Sequence, residues 1–176
     1  EGLLTFGREE SFRLDLPQGT LRAELAQVPA PEALARLLEG RFARLPEPER
    51  QACMALALAT EPLPEGFLRT ALPGLDLESL LHTELITRKD AGLSLANQAL
   101  GAAARRQSTQ EERLRWHARL LGRQGLQDAA SASHLEALGQ PEEASLAFAR
   151  AADQALEAQD TNEALRHLQS ARRLTQ

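Results

Sequence analysis

Tyrosine is absent from this chain, and tryptophan, methionine and cysteine occur once each among its 176 residues. A lone cysteine, Cys53, excludes an internal disulfide and a cysteine zinc cluster. With aromatics at 3%, the core has to come from Leu and Ala, apolar side chains of high helix propensity that favour closely packed helices over a sheet sandwich. Lysine is almost missing as well, and Lys89 is the only one. The net charge of -5 disfavours a general binder of nucleic acid or of acidic membrane and leaves only local basic faces to consider. No stretch reads as a secretory leader, and no apolar run is long enough to span a bilayer, so a cytoplasmic setting is expected. The chain opens at Glu1-Gly2-Leu3-Leu4 without Met, in sequence that already reads as structured, the pattern expected of a piece of a longer protein.

What is present is helical periodicity with two interruptions. Residues 3–16, LLTFGREESFRLDL, alternate apolar and polar on either side of Gly7-Arg8-Glu9-Glu10 and predict a hairpin. From Pro31, PEALARLLEGRFARL places Leu34, Leu37, Leu38, Phe42 and Leu45 at helical spacing, and Pro46 and Pro48 end it. ERQACMALALA, residues 49–59, has little polar face and is expected at the centre of a core. Short helices are predicted over 65–72 and 75–84, followed by a hairpin over 86–95. Helix, strand, turn, strand is the order of a winged helix. Helices resume over 97–106 and 109–123, the latter with Leu114, Ala118 and Leu121 on one stripe and Thr109-x-x-Glu112 supplying a capping signature.

Beyond Gly125 the texture becomes Ala-rich. An Ala-x3-large-x2-Ala spacing appears twice, as Ala144, Phe148, Ala151 and as Ala164, Leu168, Ala171. Small residues on one turn and a large one on the next suit stacked antiparallel helix pairs. LEALGQPEEASLAFARAADQAL resembles a tetratricopeptide repeat, with Gly139, Ala144, Phe148 and Ala151 at the signature spacings. Two partial units fit, and since solenoids need about three repeats, the array is expected to continue past Gln176.

In this order the pieces resemble the signal-transduction ATPases with numerous domains, which include bacterial transcriptional regulators of the maltose-regulator type. LARLLEGRFARLPEPERQACMALALA resembles the junction from helical lid into winged helix, LLTFGREESFRLDLP the hairpin upstream of it, and NQALGAAARRQSTQEERLRWHARLL the two helices that follow. The resemblance implies a mainly α fold in three parts: a hairpin and helical lid over 1–45, a winged-helix-like domain with a small hairpin over 46–107, and tetratricopeptide-like helix pairs over 108–176. It implies a non-catalytic regulatory or scaffolding piece whose partners are nucleotide-binding and effector domains of the same chain. ATP or ADP would sit in a domain upstream. The family's frequent His, tied in some members to sensing the nucleotide, is Asn97 here, so that role does not carry over. No phosphate loop ending in Gly-Lys-Ser/Thr occurs, so no cofactor and no ATP hydrolysis are expected of these residues. The alternatives are a free-standing repeat adaptor that holds a protein partner, and, less favoured, a DNA-binding winged helix.

Candidate site residues follow from charge. The helix that would read DNA carries Asp76, Glu78 and Glu84 without Arg or Lys, and His82 is its only side chain suited to the task. The wing offers Arg88 and Lys89 beside Asp90. The densest basic stretch is Arg105, Arg106, Arg113, Arg115, Arg119 and Arg123 around Trp116; Arg115 and Arg119, one turn apart, suit a phosphate or a carboxylate, or simply form a solvated face. In the repeats, partner-facing candidates are Arg150, Asp153, Gln154, Arg166 and Gln169. His82, His117, His134 and His167 are dispersed without metal-ligand spacing and read as structural or surface residues, and Cys53 reads as a small hydrophobe. No Gly-x-Ser-x-Gly and no defensible carboxylate pair occurs, so an enzyme is not expected.

Overall fold

Prolines and capping side chains divide the chain into short helices, as their positions in the sequence suggest. The computed structural model describes residues 32–176 apart from 90 and 124. The hairpin expected over 3–16 and the segment up to Pro31 lie outside the described residues, as does the side chain of Leu34. The described elements run α1 (Glu32–Ala43), α2 (Glu47–Leu58), α3 (Glu65–Ala71), α4 (Leu77–His82), β1 (Ile86–Lys89), β2 (Gly92–Leu95), α5 (Gln98–Gln107), α6 (Gln110–Leu121), α7 (Asp128–Ala137), α8 (Pro141–Glu157) and α9 (Thr161–Leu174). The fold is mainly α, with one antiparallel two-stranded sheet among the described residues.

Local chemistry explains the boundaries. Pro46 closes α1's exit and caps α2, but Pro48 does not end a helix; it sits in the first turn of α2, where no partner is needed for the missing N–H. Asp76 accepts from the Ser79 N–H at 2.9 Å to start α4, and Asn97 accepts from the Leu100 N–H at 2.9 Å to start α5. Thr109 and Glu112 form a reciprocal capping box on α6. Helix α4 is shorter than its apolar spacing suggests because Glu84 takes a left-handed conformation, φ 57°, and turns the chain into β1.

A main core gathers Phe42, the inner residues of α2, Leu63, Leu68, Leu77, Leu80, Ile86, Leu93 and Leu100. Trp116 and Leu120 of α6, within the segment read as 108–176, pack in this same core. A smaller cluster of Ala132, Ala147, Phe148 and Ala171 joins α7, α8 and α9. Helix α1 lies on α5 with Leu38 and Phe42 buried, while Leu37, about 100° round the helix from Leu38, is 60% exposed. In α6 the buried stripe is Trp116 and Leu120 rather than Leu114, Ala118 and Leu121. An indole removes more apolar surface from water than Leu114 or Ala118, so the helix rolls to bury it. Its Nε1–H donates to Gln51 Oε1 at 2.5 Å.

The hairpin is locked to the body beside its turn. Leu63 and Leu93 exchange backbone hydrogen bonds of 2.9 and 2.8 Å, forming a single antiparallel bridge between the α2–α3 loop and β2. Gly92 sits against that bridge with φ 137°, and a Cβ there would lie 2.4 Å from the Leu63 carbonyl oxygen. Gly74, with φ 89°, has open space around it. Gly92→Ala is therefore expected to lose roughly 2 kcal/mol or more in urea unfolding, and Gly74→Ala about 1 kcal/mol from its backbone alone. Equal losses would show that the approach to Leu63 is not tight.

Candidate functional site

Helix α4 and the hairpin β1–β2 meet through charge as well as packing. Arg88 of β1 places Nη2 at 3.0 Å from Glu65 of α3 and at 3.5 Å from Glu78 of α4. Glu65 also holds Arg69 at 2.8 Å, and these guanidiniums, Arg69 first, keep its carboxyl below the usual range. All of these groups are exposed or half-exposed, so each pair contributes little to stability. Their effect is on potential: the Arg88 cation of the hairpin is answered by carboxylates, and Lys89 is left exposed beside them. His82 points its Nδ1 at the Glu78 carbonyl oxygen, 2.9 Å away.

The basic stretch 105–123 does not form one face. Arg105 donates to the Ala57 carbonyl oxygen at 2.6 Å, Arg106 pairs with Glu39 at 2.6 Å, and Arg113 donates to the Ser108 carbonyl oxygen at 2.6 Å. Arg115 is exposed and paired with Glu111. Arg119 lies over the Trp116 ring, 5.2 Å from its centroid, a cation–π contact. Arg123, read from sequence as part of the same surface, is half-buried: its side chain, 9% exposed, is turned inward and ion-paired with Glu61 of the α2–α3 loop. Its Nε is buried without a hydrogen-bond partner, and burial lowers its pKa. An open cleft beside α6 is lined by Glu47, Gln51, Leu72, Glu112, Arg115 and Arg119, a wall of mixed charge.

At the junction of α6 and α7 lies a feature that spacing in the sequence did not reveal. His117 and His134, apart in the chain, bring their Nδ1 atoms to 3.0 Å with ring centroids 5.2 Å apart. One imidazole must carry its proton on Nδ1 and donate to the bare Nδ1 of the other, so the pair is joined in its neutral form. His134 is 1% exposed. Burial first, then His117 and Arg123, push it down to about 4, while burial and Arg113 lower His117. The one sequence signal was the i, i+4 spacing of His134 from Ala130, which turns it inward with that buried residue. Among the described residues no group of three or more His, Cys, Asp or Glu gathers to hold a metal. Cys53 is fully buried, and burial, then Glu49, raises its thiol to about 12, so no thiolate forms at neutral pH. Asn97 acts as the α5 cap described above, beside a cleft shared with Gly101 and Arg105.

In the helix pairs, Arg150 of α8 is ion-paired at 2.9 Å with Asp128 of α7, which also accepts from Gln154 at 2.8 Å. Asp153 and Arg166 are exposed, and so is Gln169. Phe148 is covered by the His167 ring of α9 at 6.1 Å, whereas Leu168, expected to be its counterpart in the core, is 48% exposed because no described element packs on that side of α9. Leu146, Leu156 and Leu165 are also more than half exposed.

No family model matches the sequence, and no curated protein and no solved structure matches it either. The chemistry of these surfaces is consequently read from their geometry. Among the described residues no helix is long and apolar enough to cross a membrane.

The histidine junction makes a prediction about acid. In the unfolded chain His134 takes a proton near 6.5, while the folded chain refuses it until about 4. Below neutrality the unfolded state thus binds more protons, and stability falls with pH through this window, levelling once the folded pKa is passed. For this group alone the loss between about pH 7.5 and 5 is about 2 kcal/mol. Urea midpoints of the wild type should drop steeply over that range and those of His134→Gln much less. Parallel slopes would remove His134 as the cause.

Proposed function

We propose that this chain is a non-catalytic regulatory and scaffolding portion of a multidomain signalling ATPase or transcriptional regulator. In this reading residues 46–107 act as a winged-helix-like unit that packs against a neighbouring nucleotide-binding domain of the same chain, and the helix pairs take up an input that shifts that packing. ATP or ADP would belong to that neighbouring domain. The observation that carries the reading is the pairing of Arg88 with Glu65 and Glu78. The helix in the DNA-reading position is acidic, and it spends its carboxylate on the wing's own cation, a poor arrangement for meeting phosphates. A face with mixed, internally matched charge suits a protein neighbour better.

A second reading, a free-standing adaptor, is favoured by the exposed leucines of α8 and α9, which offer a protein partner an apolar surface. Reading the gene upstream of Glu1 separates the two. A phosphate loop there supports the regulator, and a start codon directly before Glu1 supports the adaptor.

The test against DNA is fluorescence anisotropy of a labelled random-sequence duplex titrated with this chain at low and then physiological salt. The expected result is no saturable binding at either. Binding that weakens steeply with salt would mean that the wing or the exposed arginines neutralise phosphates, and would overturn the assignment.

A further inference from the structure

Among the described residues, four of the five exposed large apolar side chains lie in the last two helices: Leu146 at 63%, Leu156 at 51%, Leu165 at 55% and Leu168 at 48%. Single exposed leucines need no explanation, but these are ordered. In α8, Glu142, Leu146, Ala149, Asp153 and Leu156 recur at i, i+4, i+7, i+11 and i+14, on the face opposite the buried Ala144, Ala147, Phe148, Ala151 and Ala155. In α9, Thr161, Leu165, Leu168 and Arg172 follow the same opening spacing beside the buried Ala164 and Ala171. The two helices lie against each other.

The protein also contains its own comparison for a covered face. Phe148 in α8 and Leu168 in α9 hold the same place between two small residues. Phe148 is 7% exposed because α9 lies on it, with the His167 ring stacked at 6.1 Å. Leu168 is 48% exposed, so α9 offers a further helix the kind of face on which α8 already carries one.

We propose that the occupant is a second copy of this chain, docked so that α8 of each protomer lies on α9 of the other. The choice of occupant rests on charge. Beside its leucines α8 shows Glu142, Asp153 and Glu157, all exposed, while its one arginine, Arg150, is held by Asp128. Beside its own leucines α9 shows exposed Arg166 and Arg172; Arg173 is held by Glu136, and the helix's one carboxylate, Glu163, lies 3.6 Å from His167. One helix is left acidic and its neighbour basic. A two-fold axis brings acidic α8 onto basic α9 twice over, leucine against leucine, in a self-complementary four-helix contact. The opposed charges set register and orientation, and burial of the leucines supplies the affinity. Self-association of this kind is independent of the regulatory role above, since an adaptor would carry the same faces.

The experiment is sedimentation equilibrium of the full chain from low to high micromolar concentration. A monomer–dimer equilibrium is expected for the wild type. Leu165→Asp with Leu168→Asp should sediment as a monomer while keeping the wild-type far-UV circular dichroism and a thermal midpoint equal to that of the wild type diluted to its monomer, because both positions are exposed in the protomer. Asp153→Arg should weaken the dimer by roughly tenfold or more, and adding Arg172→Asp to that chain should recover most of the loss. A wild type that stays monomeric throughout overturns the proposal. So does a dimer indifferent to the leucine pair, which must use another face, or a mass that climbs past the dimer, which marks a head-to-tail contact.

Discussion

Seven of the twelve residues of helix α2 are buried, and the main core is positioned against them. Ala52, Cys53 and Ala55 are fully buried, Met54 and Leu56 nearly so, and α5, α6 and β2 all pack around them. Because the contact positions are small, neighbouring helices come close to the α2 backbone rather than to a layer of large side chains. Polar ties follow from that closeness: Gln51 receives the Trp116 indole N–H and Ala57 receives the Arg105 guanidinium. The placement of the hairpin, the roll of α6 and hence the site of His117 are therefore set by one short helix poor in aromatics.

Much of this was legible. The position of Pro46 and the Thr109–Glu112 capping box marked breaks between helices because their causes are local, a missing N–H or a side chain that reaches its own backbone. The apolar run of α2 announced its burial for the same kind of reason. What escaped reading was relational. Leu37 and Leu168 obey helical spacing and are still exposed, because spacing marks a face without saying whether anything lies against it. Arg123 counted as surface charge until the α2–α3 loop delivered Glu61 to it. The two histidines carried no shared pattern, since their meeting depends on how α7 is laid on α6.

The near absence of lysine also acquires a physical sense. A guanidinium offers several donors in a fixed plane, so one arginine can hold a carbonyl and a carboxylate that an ammonium would serve less well. Arg41 donates to the Thr83 carbonyl oxygen, Arg105 to Ala57, Arg106 to Glu39 and Arg113 to Ser108. Arginine in this chain is a joining element between helices, and a count of basic residues overstates the positive charge offered to a ligand. The same accounting weakens the case for phosphate recognition at the hairpin and leaves the outward faces of the last helices as the more open chemistry.

The helix pairs are stacked in series, and that has a mechanical consequence. Helix α9 is held mainly by α8, which in turn is held by α7, whereas α2 is gripped from several directions. Load applied at the α9 end would meet these contacts one at a time, so α9 would peel from α8 long before the main core felt the pull. The Ser145 hydroxyl donating to the Ala171 carbonyl oxygen at 3.1 Å is one of the few polar stitches across that seam. Anything that covers the leucines of α9 therefore works as a clamp on a helix held chiefly by one neighbour, turning a contact made outside the chain into stiffness within it.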